Sequence, residues 1–486
     1  MLKKTLLFVL VALLLLVCVL LIKTYTTESK QLRTSGERKT YSIRYDALVH
    51  LQSAIRIPTV SYDGHINTDT AGFWALHRLF DSVYPLTTQR LEKTLVNSFS
   101  LIYRWKGKSN VAKPSILYAH LDVVPIESVN KSEWTHAPFS GDTAEGMVWG
   151  RGTLDDKGSA IAMLESTEAL LMQGFTPEND IYLVFGHDEE IGGNLGAGEV
   201  AKYFQSKGIK TRFNLDEGGM CTSKMVPFVD KPVMLIGTAE KGYMTLNISV
   251  KIKGGHSSKP EKETSTGVLV DALEKINAHP FPAQLSPVLA DFVDYVGPEM
   301  KMPARLLFTN RWLFAPIIIK AYQNVGGEGN AVTRTTSAIT ILDAGVKDNL
   351  IPGEAKAKVN FRILTGQTCA GVLKEIKGVV NDERVIIEVA ENSFDPSPIT
   401  STATFGFKTT QAVCGDVFPD VLVSPFLMIG GTDSKHFEKV SESLIRCMPV
   451  RMSKEQLQTI HGVNERIGIH DFMEMIAFYE QMMKHL

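Results

Sequence analysis

Several short segments of this chain carry clustered acidic and histidine side chains. The candidates are His120 and Asp122, Asp155 and Asp156, Glu189 and Glu190, Asp216 and Glu217, and a late histidine, His461. Imidazole and carboxylate groups without a thiolate are typical of Zn²⁺ in a hydrolytic site rather than a structural one. Five such ligands with one shared carboxylate can hold two metal ions. Two ions about 3.5–4 Å apart can activate a bridging water and polarise a carbonyl group.

The spacing within two of these segments suggests separate roles. His120 and Asp122 are two residues apart, so in an extended chain their side chains point the same way and Asp122 can orient the imidazole. Glu189 and Glu190 are adjacent and therefore diverge, which lets one bind metal while the other faces the water as a general base. Each segment alone also fits an ordinary polar turn, and their common placement favours a single site.

Alternating strands and helices position these segments. The pattern predicts buried strands at 115–119, 180–185 and 212–215, with helices at 158–172 and 200–208. Such alternation is typical of the α/β class, with a mostly parallel sheet covered by helices on both faces. Polar turns directly follow the three strands, and ligand sites of open parallel sheets lie at the carboxyl ends of strands.

The second half of the chain has a different pattern. After residue 242 the predicted order is βαββαβ, which indicates a ferredoxin-like α+β unit interrupted by an apolar insert at 280–329. The α/β pattern returns at about 393 and ends in an amphipathic helix. We therefore predict a split catalytic domain, 43–241 and 393–486, with a lid or dimerisation-like domain at 242–392.

An apolar run at the N-terminus suggests a membrane connection. Lys3 and Lys4 precede an apolar stretch at 6–22, which as a helix is roughly 25 Å long and borderline for a span. Residues 1–23 are a signal anchor or a cleaved signal peptide. We favour the anchor because no small-x-small cleavage site follows the run, and a lumenal or extracellular catalytic domain is then expected. Secretion after cleavage is the alternative, and the polar residues 24–42 are predicted to form a stalk.

Composition excludes several classes of protein. Lys plus Arg is 51 and Asp plus Glu is 53, giving a net charge of -2, so the basic surface of a nucleic-acid-binding protein is not expected. With 44% hydrophobic residues the chain has the composition of a folded protein rather than a disordered one. The five cysteines have long, irregular spacings that match no zinc finger and assign no disulfide.

Eight motifs, in order along the chain, resemble those of a known family. They are His120-Leu-Asp122, Gly150-Arg-Gly-Thr-Leu-Asp155, Gly186-His-Asp-Glu-Glu190, Asp216-Glu-Gly-Gly219, Gly254-Gly-His256, Asn360-Phe-Arg362, Gly430-Gly-Thr-Asp433 and His461-Gly-Val-Asn464. The chain resembles the dinuclear zinc aminoacylase and carboxypeptidase metallopeptidases. The apolar insert makes it most similar to the branch that contains carboxypeptidase S and the N-fatty-acyl-amino-acid synthase/hydrolase.

The resemblance implies a fold of the zinc-exopeptidase type and two Zn²⁺ ions per subunit. One ion would be held by His120, Glu217 and a bridging Asp155, and the other by Glu190, His461 and the same Asp155. Asp216 competes with Glu217, and the family pattern favours Glu217. The general base would be Glu189, the partner of the first imidazole would be Asp122, and the Asp155–Asp156 peptide would be cis.

The resemblance also implies a substrate site and a reaction. His256 would stabilise the oxyanion, Arg362 would bind a substrate carboxylate, and Asn330 and Gly431 would assist. In dimeric relatives this histidine comes from the partner subunit, so a homodimer is one possible assembly. The implied function is metal-dependent, reversible hydrolysis of N-acyl or N-fatty-acyl amino acids by a metal-bound water. The alternatives are a carboxypeptidase of short peptides and, more remotely, a non-enzymatic receptor.

Overall fold

The computed structural model describes residues 2–62, 64, 70–109 and 111–486. Helices occur along the whole of this described chain. Their bounds are α1 (Leu2–Thr26), α2 (Tyr45–Ile55), α3 (Thr70–Val83), α4 (Pro85–Arg90), α5 (Lys157–Met172), α6 (Ala197–Ser206), α7 (Ser265–Asn277), α8 (Pro287–Val296), α9 (Ala304–Thr309), α10 (Arg311–Asn324), α11 (Gly327–Thr333), α12 (Cys369–Val380), α13 (Phe405–Val417), α14 (Lys454–Leu457) and α15 (Ile469–His485). Hydroxyl side chains fix several starts. Thr264, Thr368 and Ser286 accept the backbone N–H three residues later at α7, α12 and α8.

The strands are shorter elements between these helices. Their bounds are β1 (Glu92–Val96), β2 (Ser100–Trp105), β3 (Ser115–His120), β4 (Asp142–Ala144), β5 (Met147–Trp149), β6 (Ile181–Gly186), β7 (Phe213–Asp216), β8 (Cys221–Thr222), β9 (Val233–Glu240), β10 (Gly242–Lys251), β11 (Gly255–His256), β12 (Thr336–Ala344), β13 (Leu350–Ile351), β14 (Glu354–Ile363), β15 (Val385–Val389), β16 (Leu422–Met428), β17 (Leu444–Arg446), β18 (Arg451–Met452) and β19 (Arg466–Gly468).

A large mixed sheet forms the centre of the segments predicted to be the catalytic domain. Its order is β1-β2-β6-β3-β7-β17-β9-β8-β18, with β16 beside β9, and the pairs around β3 are parallel. The two faces of β3 show how it is covered. Ile116 and Tyr118 pack towards α6, while Leu117 and Ala119 pack into the larger core with α5 and α15. The predicted α/β class, with a mostly parallel sheet covered on both faces, is confirmed.

The lid is a separate antiparallel sheet with its own core. The order β12-β14-β10-β15 and the chain order β10, α7, β12, β14, α12, β15 together give the predicted ferredoxin-like arrangement. Alternate residues of β10, from Met244 to Val250, are buried, and they pack with α7 and α12. This alternation is the period-two pattern of a sheet with one covered face.

The apolar insert does not lie where the sequence analysis placed it. We assigned 280–329 to the lid, but α8 packs against β16 of the large sheet and supplies Leu289, Phe292 and Val296 to the catalytic core. Tyr295 also meets the Phe407 ring of α13 edge-on, with ring centroids 5.6 Å apart. Core packing on the large sheet therefore accounts for the apolar side chains of α8, while several of those on α10 stay exposed.

The polar segment after α1 does not project from the body as a stalk would. Gln31 exchanges hydrogen bonds with the backbone of Val423 at 2.8 and 3.0 Å, and Thr34 donates to the carbonyl of Pro419. Arg38 pairs with the buried Glu474 at 2.9 Å. Residues 27–44 thus form a strap along the catalytic domain. Several of its polar side chains bind groups of the body.

Candidate metal centre

His120 and Asp122 lie at the end of the central strand β3. The His120 ring is fully buried, and its Nδ1 atom lies 3.0 Å from the carbonyl oxygen of Asp122 and 3.3 Å from the Oδ1 atom. The two carboxylate oxygens of Asp122 accept the backbone N–H groups of Glu189 and Glu190, each at 3.1 Å. Asp122 therefore fixes the imidazole and the acidic turn after β6 at once.

Asp155 lies between the two histidines. Its Oδ1 atom is 2.8 Å from His120 Nε2, and its Oδ2 atom is 3.0 Å from His461 Nε2. The Asp155–Asp156 peptide is cis, as the resemblance implied. Burial alone would raise the pKa of Asp155, but hydrogen bonds from both imidazoles hold it well below its usual range. Each oxygen of this carboxylate thus faces a different half of the cluster.

His461 and Glu190 form the second half of the cluster. His461 Nε2 lies 3.1 Å from Glu190 Oε2. Hydrogen bonds to Asp155 and Glu190 raise the pKa of His461 to about 10, while burial and the charge of Asp155 raise the pKa of Glu190 to about 7. The other oxygen of Glu190, Oε1, is buried and has no hydrogen-bond partner among the described residues.

Glu217 completes the first half of the cluster, and its neighbour Asp216 faces elsewhere. Glu217 Oε2 is 3.6 Å from His120 Nε2. Asp216 instead accepts the Glu217 N–H at 2.8 Å and the Ser434 hydroxyl at 2.9 Å. Because both Asp216 oxygens have protein donors, the geometry favours Glu217 as the ligand from this turn.

Glu189, the predicted base, lies on a tight turn beside the cluster. Burial and the nearby charge of Glu217 raise the pKa of Glu189 well above its usual range. The turn closes through Gly192 and Gly193, which have φ values of 104° and 70°. A side chain at Gly193 would overlap Asp433, because its Cβ would lie 1.7 Å from Oδ1. Glycine is therefore required where this turn passes Asp433.

Among the described residues, the side chains predicted to bind substrate form no hydrogen bond with the cluster of predicted metal ligands. His256 is exposed and its Nδ1 atom accepts from the Ser258 backbone at 3.1 Å. Arg362 lies over the Tyr243 ring, 4.8 Å from its centroid, and burial lowers the pKa of Arg362. Asn330, on α11, donates to the carbonyl of Gly326.

Aromatic rings connect two of these substrate residues. Phe394 stacks on Tyr243 with ring centroids 6.0 Å apart, and Arg362 covers the same tyrosine. Gly431 approaches the far ring closely, since a Cβ there would lie 3.4 Å from Phe394 Cζ. Arg362 and Gly431 therefore lie along one row of rings. Sequence reasoning predicted neither aromatic residue.

Comparison with known proteins identifies the family. The model of "Peptidase family M20/M25/M40" matches residues 116–485, which is most of the chain and includes every predicted metal ligand. The chain belongs to this family. The predicted resemblance is confirmed, and the chain is accordingly a metallohydrolase of the M20 group.

Curated relatives and solved structures agree with the M20 assignment. "Probable carboxypeptidase S-like 2" of Dictyostelium discoideum is 40% identical over 85% of this chain and 79% of its own length. "N-fatty-acyl-amino acid synthase/hydrolase PM20D1" of Xenopus tropicalis is 36% identical over 98% of this chain and 94% of its own. The M20 metallo-carboxypeptidase Sso-CP2 from Sulfolobus solfataricus has the same fold, with a TM-score of 0.64 and 19% identity, covering 90% of this chain and 98% of that one.

The cluster of this M20 chain fits metal ions. Two groups bring candidate ligand atoms within 4.8 Å of one another: His120 with Asp155 and Glu190, and His120 with Asp156 and Glu217. The second group contains Asp156 where the resemblance implied Asp155. The unpartnered Oε1 atom of Glu190 and the crowding of buried carboxylates both call for a cation, and these donors suit zinc.

Glu465 is a supporting residue that the motif analysis missed. This fully buried carboxylate pairs with Arg151 at 2.6 Å. It also accepts the backbone N–H groups of Gly152, Leu154 and Asp155 through Oε1, at 3.0, 2.9 and 3.2 Å. Glu465 thereby shapes the turn that presents Asp155. Its position one residue beyond the His461 motif was the available signal.

We expect Glu465→Gln to lower kcat/KM by roughly 10- to 100-fold, as is typical when a group that orients metal ligands is lost. The amide leaves Arg151 without its countercharge and turns an N–H group towards a cluster of donors. The measurement is kcat/KM with metal content on the same sample. Glu442→Gln, at an exposed pair with Lys113, is the matched control. Unchanged turnover and metal content in Glu465→Gln would contradict the role.

Proposed function

We propose that this chain hydrolyses the amide bond next to a free amino-acid carboxylate, with N-fatty-acyl and other N-acyl amino acids as substrates. The observation that carries the proposal is the placement of Asp155 between His120 and His461, with Glu189 on the adjoining turn. The substrate class is supported by the relative at 36% identity, which is named for synthesis and hydrolysis of N-fatty-acyl amino acids and is matched over nearly its full length.

The residues that would hold two Zn²⁺ ions divide around the shared Asp155. His120 and Glu217 lie on one side of this carboxylate and Glu190 and His461 on the other. When bound, two such metal ions supply Lewis-acid activation of water and of the scissile carbonyl. Asp122 keeps the His120 imidazole oriented, because the Nδ1 atom of His120 contacts both the backbone carbonyl and the carboxylate of Asp122.

Glu189 would carry the proton in this reaction. As a carboxylate it takes a proton from the attacking water and, as the acid so formed, gives it to the leaving amino group. Arg362 would bind the free carboxylate of the amino acid with its two N–H groups. Reverse condensation would use the same residues in the opposite order.

A carboxypeptidase acting on short peptides is the second candidate function. It is supported by the relative at 40% identity, whose name is carboxypeptidase S-like. Both reactions cleave an amide bond beside a free carboxylate, so the same Glu189 and Arg362 would serve either. A non-enzymatic receptor would be expected to lack ligands, whereas this chain has each predicted ligand and the base.

A substrate comparison tests the proposal and separates the two candidates. We expect the purified full chain to hydrolyse N-oleoyl-phenylalanine with a kcat/KM at least about 10-fold above that for Gly-Leu, a difference of only about 1.4 kcal/mol. A chelator should abolish both activities. Preference for Gly-Leu would favour the carboxypeptidase, and absence of chelator-sensitive cleavage of either compound would overturn the hydrolase proposal.

The location proposed for the catalytic domain is the lumenal or extracellular side of a membrane, with α1 as a signal anchor. α1 spans 25 residues and is long and apolar enough to cross a membrane. Cleavage after α1 would remove two acceptors of the buried Asn310 amide, the Leu20 carbonyl and the Thr24 hydroxyl. A secreted form after signal cleavage is the alternative. Asn130-Lys131-Ser132 is a glycosylation sequon, so glycosylation there, lost in Asn130→Gln, would report a lumenal location.

A homodimer would account for the absence of hydrogen-bond contact between His256 and the cluster within the described residues. The lid edge strand β12 pairs on one side with β14, and its residues from Ser337 to Ala344 are exposed. An exposed strand edge is a ready surface for pairing with a second chain. We propose that two chains associate through the lid so that His256 of one chain serves the cluster of the other.

A further inference from the structure

The end of α1 is fixed to the apolar insert. Asn310 is fully buried, and its amide donates to the Leu20 carbonyl at 3.1 Å and to the Thr24 hydroxyl at 2.9 Å. The Thr309 hydroxyl also donates to Thr24, at 3.2 Å. Leu20 lies three residues before Lys23, inside the apolar part of the helix. Along the axis of α1, the insert therefore contacts the helix about 4.5 Å before Lys23.

Lys23 is the first charged residue after the long apolar part of α1. Between Lys4 and Lys23 the helix is free of charged residues, and that length of about 27 Å is close to the thickness of a bilayer core. The Lys23 ammonium lies 5.9 Å from the centroid of the Trp312 ring. Trp312 thus lies at the boundary level, where tryptophan is enriched in membrane proteins.

The outward face of α10 continues from this point. Its exposed positions recur at helical spacing and are apolar apart from one lysine and the terminal asparagine: Trp312, Leu313, Pro316, Ile317, Lys320, Ala321 and Asn324. Trp312 is 55% exposed and Ile317 is 53% exposed. The whole helix contains no acidic residue. An apolar stripe with cationic residues only is typical of a helix that lies at a membrane interface.

On the basis of the signal anchor proposed for α1, we propose that this stripe of α10 is a second membrane-binding element, which enters the boundary between headgroups and acyl chains of the same bilayer. A bilayer is the expected partner of this stripe because α10 begins beside the apolar part of α1. A bilayer around α1 up to Lys23 already surrounds the contact between Leu20 and Asn310, from which α10 begins. The catalytic domain is then held against the membrane at two points instead of hanging from a stalk.

Tryptophan quenching in vesicles tests this proposal. The full chain is reconstituted into phosphatidylcholine vesicles with bromine on the acyl chains, near the headgroup or near the chain end. The emission of Trp312 is the part of the total tryptophan emission that Trp312→Phe removes. We expect bromine near the headgroup to quench this emission strongly, and bromine near the chain end to quench it less. Ile317→Trp in the Trp312→Phe chain should restore a component that is quenched in the same way.

Leu95→Trp in the Trp312→Phe chain is the matched control. Leu95 is an exposed apolar residue of β1, at the opposite edge of the large sheet from the strands that contact α8, so its emission should be unchanged by bromine. Equal Trp312 emission in brominated and ordinary vesicles would overturn the proposal. An interchain disulfide from Ile317→Cys in vesicles would also overturn it, by showing that a second copy covers the stripe. Turnover measured in detergent tests the hydrolase proposal separately.

Discussion

Glu189→Gln is expected to reduce turnover by about 100- to 10,000-fold, the usual contribution of a positioned general base. The amide has the shape of the carboxylate but cannot take a proton from water. Its backbone N–H still donates to Asp122, and this bond does not involve the side chain. The neighbouring Glu190 keeps its contact with His461. The variant should therefore lose the chemical step and keep its metal ions and its fold.

Three measurements on one preparation check this expectation. They are kcat with N-oleoyl-phenylalanine, metal content per chain, and the thermal unfolding midpoint. Glu199→Gln is a matched control, since Glu199 lies on α6 in a surface pair with Lys202. Its kcat should equal that of the parent chain. Normal turnover in Glu189→Gln would refute its assignment as the base, and a loss of metal would make it a ligand instead.

Local sequence patterns predicted the elements that present the site. The helix expected at 158–172 is Lys157–Met172, and the strand expected at 115–119 is Ser115–His120. These elements are fixed by short-range periodicity and by burial on both sheet faces. The polar turns at their ends were predictable for the same reason, because parallel strands bring their carboxyl ends to one edge.

The packing of the insert and of the strap depended on contacts far apart in sequence. The apolar residues of α8 predicted burial but not which domain would bury them, and they pack against β16, more than a hundred residues later. The polar strap was interpreted as a stalk because polar side chains usually bind water. Gln31 and Arg38 bind the body instead. Composition does not distinguish a solvated polar segment from one paired over such distances.

Supporting residues were the part of the site least visible in sequence. Glu465 is one acidic residue among many until its three backbone donors on the Asp155 turn are known. Phe394 and Tyr243 likewise gain a role only through their stacking beside Arg362. Such residues act by geometry, and neither their type nor their spacing carries a chemical signature.

Asp155→Asn is expected to have a second large effect, on metal binding. Asp155 Oδ1 and Oδ2 face the His120 and His461 rings, so this carboxylate is placed to serve both halves of the cluster. The amide removes a negative charge and directs an N–H₂ group at one half. Loss of a residue that only hydrogen-bonds to a metal ligand lowers metal affinity by up to roughly 100-fold. We expect Asp155→Asn to lower metal affinity by more than this, and turnover to fall with it.

Metal titration with turnover measured at each point checks this second expectation. Asp142→Asn is the matched control, because Asp142 lies in a half-exposed pair with His136. If Asp155 serves both ions, the variant should lose both together, and excess metal should restore little turnover because the shared ligand is still absent. Loss of a single ion would place Asp155 in one half only. If the variant binds metal with the affinity of the parent chain, Asp155 is not a ligand. Asp156, which belongs to the second ligand group, would then be the candidate.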